Sequence, residues 1–156
     1  MEGITLRKML PADLPQVCVI ENVCYTTPWS LSSFKHEIDN IDAILKVAVF
    51  DSRIIGYICI RSILDMTHLM NIAVLPEFRR RGIGKALLGN AIMEVKRLHP
   101  DTKLTLEVRK SNIAAVTFYE KFGFNATGKR NKYYQQPEDD AVIMELDVSL
   151  FLPDQN

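Results

Sequence analysis

Apolar and polar positions along the chain predict strands in runs, linked by single helices. Ile4 to Arg7 reads as a first strand. Pro11-Ala12-Asp13 then opens a helix with Leu14, Val17 and Ile20 on its apolar face, ending near Tyr25. Thr26-Thr27-Pro28-Trp29-Ser30 breaks the helical period, and Leu31 to Ile38 resumes it with Leu31, Phe34 and Ile38 on one side. Two β-branched runs, Ala43 to Phe50 and Ile54 to Leu64, flank Asp51-Ser52-Arg53 and predict a hairpin. A third strand, His68 to Val74, stops at Pro76, so three consecutive antiparallel strands are expected. A basic turn follows, and then a helix with Leu87, Leu88, Ala91, Ile92, Val95 and Leu98 on its inward stripe, ending near His99-Pro100. Lys103 to Val108 alternates as a strand. Asn112 caps a helix containing Ala115, Phe118 and Tyr119, which stops before Gly123. Phe124 to Tyr134 and Ala141 to Leu146 form a last hairpin around Pro137-Glu138-Asp139-Asp140. No repeat or linker interrupts this pattern, which predicts one mixed α/β (α+β) domain over residues 1–156.

The stretch from His68 to Leu88, HLMNIAVLPEFRRRGIGKALL, carries the most suggestive chemistry: a strand, a basic turn and a helix. The first turn of a helix holds N–H groups without intrahelical partners and the positive end of the macrodipole, so close backbone approach there makes an anion site. Gly82 and Gly84 remove side chains that would block the approach, and Arg79, Arg80, Arg81 and Lys85 surround it with positive charge. Neither common phosphate fingerprint fits. GxxxxGK followed by Ser or Thr is absent, and Leu87 stands where the dinucleotide motif needs a third glycine.

Composition narrows the class. Lysine plus arginine and aspartate plus glutamate number 19 each, so the formal net charge is zero and the basic cluster is local. Neither nucleic acid nor an anionic membrane is expected as a partner. The segment MEGITLRKML lacks a signal peptide's apolar core, and no apolar run approaches the roughly 18 residues of a spanning helix, which predicts a cytoplasmic protein. Cys18, Cys24 and Cys59 are odd in number and lack CxxC spacing, so they read as buried free thiols rather than a disulfide framework or a metal site.

Further stretches give the basic turn a context. Arg79-Arg80-Arg81-Gly82-Ile83-Gly84 resembles the acyl-CoA-binding motif of the GCN5-related N-acetyltransferase (GNAT) superfamily. Leu106-Glu107-Val108-Arg109 with Ser111-Asn112, Ala114-Ala115 through Tyr119, and Gly123-Phe124 match the same superfamily in order and spacing. Pro28-Trp29-Ser30, Asn71-Ile72-Ala73-Val74, Tyr133-Tyr134 and Glu138-Asp139-Asp140-Ala141 extend the resemblance to its bacterial ribosomal-protein alanine N-acetyltransferases. That resemblance implies a central, mostly antiparallel mixed sheet of about six to seven strands with flanking helices. It implies acetyl-CoA as co-substrate, no metal, and a protein N-terminus, such as that of a ribosomal protein, as acceptor.

The resemblance also assigns roles. Glu107 becomes the proton acceptor and Tyr119 the proton donor. Ile72, Ala73 and Val74 offer strand backbone to the pantetheine amides, Arg80, Arg81, Gly82, Ile83, Gly84 and Lys85 take the pyrophosphate, and Asn112 presents its amide to the cofactor. Trp29, Tyr133 and Tyr134 are the candidates to line the acceptor site. Each residue also has a plainer reading: Glu107 as a strand carboxylate paired with Arg109 or Lys103, Tyr119 as a core aromatic, Asn112 as a simple cap, Trp29 as a packed loop residue. The chemistry asks for both catalytic roles, because an amine must be neutral to attack and the thiolate that leaves must be protonated. Removing the proton at pH 7 costs about 1.2 kcal/mol for an α-amine and about 4.6 kcal/mol for a lysine, which favours the α-amine. Glu21-Asn22-Val23-Cys24-Tyr25 departs from the LPENY segment of broad N-terminal acetyltransferases, which also points to the ribosomal type. A lysine, polyamine or small-molecule acceptor, or a silent CoA-binding module, is the competing expectation.

Overall fold

A computed structural model describes residues 3–153. The first two and last three residues, which the single-domain expectation includes and the first of which belong to the leader reading, lie outside the described residues. The strands are β1 (Ile4–Lys8), β2 (Ala43–Phe50), β3 (Arg53–Ile63), β4 (Met66–Val74), β5 (Lys103–Arg109), β6 (Asn125–Tyr134) and β7 (Asp139–Asp147). The helices are α1 (Leu14–Cys24), α2 (Leu31–Ile38), α3 (Ile83–Leu98) and α4 (Ile113–Phe122). The strands hydrogen-bond in the order β1-β2-β3-β4-β5-β7-β6, with β4 and β5 parallel and β1–β2, β2–β3, β5–β7 and β6–β7 antiparallel. This is the mixed, mostly antiparallel sheet expected.

The chain divides into two compact units. The first comprises residues 1–62 and 69–91. Its hairpin between β2 and β3 turns through Asp51 and Ser52, both with positive φ (52° and 65°), the backbone twist that a tight antiparallel connection requires. Val17 and Ile20 of α1, Phe34 of α2, Val47 and Ala48 of β2, Ile55, Ile58 and Ile60 of β3, and Leu87 and Leu88 of α3 are all buried. Burying each large aliphatic or aromatic side chain contributes about 1.5–3 kcal/mol, so this apolar set supplies the unit's main driving force. Leu31, expected inward on α2, is instead exposed, while Glu37 on the same helix is buried against Arg61 of β3.

The second unit comprises residues 63–68 and 92–156. Register on β5 runs from Lys103 opposite Asp147 to Arg109 opposite Ala141 of β7. Leu104, Leu106 and Val108 bury one face, so period-two alternation turns Glu107 and Arg109 to the other. Asn112 accepts a hydrogen bond from the Ala115 N–H at 3.1 Å and starts α4. Gly123, at φ 104°, closes it in the left-handed conformation that a side chain would strain. Ile92 and Val95 are buried as expected, but Leu98, the last residue of α3, is 49% exposed. Cys59 is buried, whereas Cys18 and Cys24 are only half-buried, since their helix positions flank the Val17 and Ile20 stripe; all three are free thiols. No described helix is long and apolar enough to cross a membrane.

Candidate active site

In the first unit the basic turn starts α3 as the sequence suggests. The Ala86 N–H bonds to the Gly82 carbonyl at 3.0 Å, so the preceding first-turn N–H groups of Ile83, Gly84 and Lys85 have no carbonyl within the helix to meet. Gly82 has φ 79° and a side chain there would meet nothing within 4 Å, so glycine is required by conformation and the space it leaves is open. Arg80 also adopts positive φ, 63°, an uncommon conformation for a non-glycine residue. Arg81 lies over the Phe78 ring at 5.3 Å, and Arg80 and Lys85 are exposed. Arg79 is committed elsewhere, since its Nε donates to the Val74 carbonyl at 2.9 Å and a terminal nitrogen donates to Cys24 Sγ at 3.2 Å. It straps the turn to the end of β4.

β4 pairs with β5 only over Met66–His68. Beyond that, the Ala73 carbonyl lies 3.0 Å from where a Gly56 side chain would begin, so it faces β3, and alternation turns the Ile72 and Val74 backbone to the other edge. The Ile72 carbonyl accepts from the Tyr25 hydroxyl at 2.6 Å, and the Val74 carbonyl from Arg79 and, at 3.7 Å, Cys24. Side-chain donors thus sit on the strand carbonyls expected to meet an extended, amide-bearing arm. Trp29 is half-buried, with its ring 5.3 Å from Phe34 and its backbone N–H donating to Glu21 at 2.9 Å.

The second unit holds the remaining candidates, and there the structure gathers Glu107, Tyr133 and Tyr134. Glu107 is 32% exposed in its side chain and pairs with Arg130 Nε at 3.3 Å. The partners expected for it are engaged elsewhere: Lys103 pairs with Glu145 at 3.6 Å, and Arg109 donates to the carbonyls of Pro137 at 2.8 Å and Gln135 at 3.0 Å. The pairing falls to β6 because β5 and β6 both flank β7, where Arg109 and Arg130 share the partner Ala141. Arg130 also stacks over Tyr133 at 5.4 Å and Arg109 over Tyr134 at 4.5 Å. Burial, the Glu107 charge and a hydrogen bond to Glu107 push the Tyr133 phenol up. Burial and then the same charge push Tyr134 up to about 12.

Tyr119 sits on the buried face of α4, edge-on to Phe118 at 5.4 Å and Phe124 at 5.6 Å. Burial pushes its phenol well above the ordinary range, so it carries its proton throughout neutral pH. None of the described residues hydrogen-bonds to its hydroxyl, and no buried side-chain oxygen or nitrogen among them is left unpaired. Asn112 spends only Oδ1 on its cap, which leaves the Nδ2 donors. No group of three or more histidines, cysteines or carboxylates among the described residues could hold a metal.

Sequence reasoning missed Arg130, Arg109's hold on the β6–β7 connection, and a polar cluster around Glu21. For Glu21 a signal existed. It falls seven positions after Leu14 and four after Val17, on the buried stripe of its helix, where a carboxylate must find partners.

The model for the acetyltransferase (GNAT) family matches residues 14–124, more than half of the chain. The chain belongs to this family. Among relatives, the ribosomal protein bS18-alanine N-acetyltransferase of Salmonella typhimurium is 38% identical over 94% of this chain and 99% of its own length. The enzyme of the same name from Haemophilus influenzae is 37% identical over 85% and 90%. The crystal structure of the ribosomal-protein-S18-alanine N-acetyltransferase from Escherichia coli superposes with a TM-score of 0.87 at 33% identity, covering 94% of this chain and 95% of that one. The resemblance read from the motifs and the expected GNAT sheet both hold, and the chain is an N-acetyltransferase.

Proposed function

We propose that this GNAT enzyme transfers acetyl from acetyl-CoA to the α-amino group of a protein N-terminus, an alanine of a small-subunit ribosomal protein, in the cytoplasm. The observation that carries the reading is the likeness, across nearly the whole chain, to enzymes named for that alanine. The first-turn N–H groups of α3, with Arg80, Arg81 and Lys85, take the pyrophosphate. Gly82, Ile83 and Gly84 allow its approach, the strand of Ile72, Ala73 and Val74 turns its N–H edge, with the Ile72 and Val74 carbonyls already bonded, along the pantetheine arm, and Asn112 adds an amide donor.

Glu107 takes the proton of the acceptor ammonium, directly or through one water, and leaves a neutral amine. The amine nitrogen attacks the thioester carbonyl, the new C–N bond forms as the C–S bond breaks, Tyr119 gives its proton to the departing thiolate, and the second proton that the nitrogen sheds on becoming an amide passes to water, from which the Tyr119 phenol is restored. No covalent enzyme intermediate is needed. Support for Glu107 comes from its partial exposure, which lets it exchange protons with water, and from the flanking phenols of Tyr133 and Tyr134. Tyr133 and Tyr134 in the second unit and, separately, Trp29 in the first are the residues assigned to acceptor binding.

Incubation with acetyl-CoA and a panel of peptides tests this reading. Peptides with a free N-terminal alanine should be acetylated and N-blocked copies should not. Acetylation of blocked, lysine-bearing peptides would move the acceptor to a side-chain amine, and binding without turnover on any amine would remove the enzymatic reading.

A further inference from the structure

The proposed reaction makes no use of Glu21, although the first unit is organised around it. Glu21 is 1% exposed. Its carboxylate is held by neutral donors: the Tyr57 hydroxyl on Oε1, the Asn71 amide at 3.1 Å from Oε1 and 3.2 Å from Oε2, and the Trp29 N–H at 2.9 Å from Oε2. A helix that needed only packing here would carry an aliphatic residue, since a buried charge is costly and a well-packed apolar replacement is often as stable. What the carboxylate adds is reach, because its donors come from β3, from β4 and from the segment between α1 and α2.

The contacts close on themselves. The Trp29 backbone binds the carboxylate, the Trp29 ring meets Phe34 at 5.3 Å, Phe34 stands edge-on to Tyr57 at 5.6 Å, and the Tyr57 hydroxyl returns to the carboxylate. The ends of the segment are also tied. Tyr25 donates to the Ile72 carbonyl at 2.6 Å, and Ser30 accepts from the Ser33 N–H at 3.1 Å as it caps α2. Trp29 keeps an open side, lining a groove of about 380 Å³ with Ser32, Ser33, His36, Glu37 and Arg61. With donors already on both oxygens and almost no exposure, Glu21 is poorly placed to move protons and well placed to hold backbone.

We propose that Glu21 is a positioning residue for acetyl transfer: acting through the Trp29 N–H and the Tyr57–Phe34 ring pair, its carboxylate holds the segment from Tyr25 to Ser30 as a preorganised wall against which the acceptor peptide binds. The inference rests on the reading of the chain as a transferase with a peptide acceptor. A wall fixed in advance spares the acceptor the cost of ordering it, so its loss falls on acceptor binding rather than on the cofactor.

Glu21→Gln keeps the volume but turns one acceptor atom into a donor, and Tyr57→Phe removes one hydrogen bond while keeping the ring against Phe34. Trp29 is the only tryptophan, so its emission reports this segment alone. In folded Glu21→Gln, the KM for an alanine-starting peptide should rise about tenfold or more with the KM for acetyl-CoA nearly constant, and a tenfold rise corresponds to about 1.4 kcal/mol. Trp29 emission should shift to the red and become easier to quench with acrylamide, and Tyr57→Phe should move both readouts the same way by less. Wild-type values of peptide KM and emission in folded Glu21→Gln, or equal losses for both substrates, would overturn the proposal. If Glu21→Gln does not fold, unchanged readouts in Tyr57→Phe overturn it equally. A wild-type enzyme that ignores every peptide would instead defeat the functional reading, while the emission and quenching data would still test whether Glu21 holds the segment.

Discussion

Two glutamates in this chain occupy opposite environments, and the contrast shows how surroundings decide what a carboxylate does. Glu107 projects from β5 about a third exposed, with one ion pair to an arginine that is itself mostly in water. Glu21 is sealed inside the other unit with neutral donors on both oxygens. The first is within reach of water, as the proposed general base must be. The second is tied to two strands and a loop at once. One residue type thus stands beside phenols and an arginine in one unit and among neutral donors in the other.

The sharpest break in the contrast is kinetic. Glu107→Gln should lower kcat by about 100-fold or more while calorimetry finds acetyl-CoA affinity unchanged, the signature of a group that acts mainly in the transition state. A full rate in this variant across pH would end the base assignment. Next in size, Tyr119→Phe should lower turnover about 10- to 100-fold with little change in melting temperature, since the ring packing against Phe118 and Phe124 survives and the lost hydroxyl has no partner among the described residues. A large drop in stability with turnover intact would return Tyr119 to the core. Replacing Gly84 with leucine should weaken CoA binding by about tenfold in titration, with the helix still formed, because the side chain would crowd the first-turn N–H groups. Unchanged affinity would count against the pyrophosphate site.

A third carboxylate calibrates the other two. Asp13 is buried like Glu21 but is held by a cation: Arg7 donates to both its oxygens at 2.7 and 2.9 Å, and the Leu10 N–H adds a third bond at 2.7 Å. The Arg7 hydrogen bonds hold Asp13 below the usual carboxylate range despite burial. A depressed value means stability that is present above the unfolded carboxylate value of about 3.9 and lost as pH falls through the folded one. Asp13→Asn should therefore cost about 1–2 kcal/mol at neutral pH and flatten the loss of stability below about pH 4, as denaturant melts across pH would reveal. An unaltered acid limb would mean that the ion pair contributes little.

Most of the elements were legible in the residues themselves. Period-two alternation on Lys103 to Val108, the cap at Asn112, the stop at Gly123 and the glycines after the arginine run are local signals, fixed by side-chain direction, capping chemistry and allowed φ. The motifs around Arg79–Gly84 and Leu106–Arg109 placed the chain in its family for the same reason: they sit on contiguous stretches that keep their order. The partners were not legible. Sequence proximity pairs Glu107 with Arg109 or Lys103, but β5 and β6 both pair with β7, and that topology brings Arg130 instead. Arg79, counted among the charges of the turn, is spent on Val74 and Cys24.

The sequence alone therefore determined the order of helices and strands, with ends shifted by two or three residues at β4, β7 and α1, and which family the chain joins, because those properties depend on neighbours along the chain. Only the tertiary structure decided which carboxylate stays open to water and which is locked to Tyr57, Asn71 and Trp29. Those partners lie 36, 50 and 8 positions from Glu21. Hydrogen bonds and ion pairs act over a few ångströms of space, and separations as long as the first two are bridged only when strands pair and helices pack.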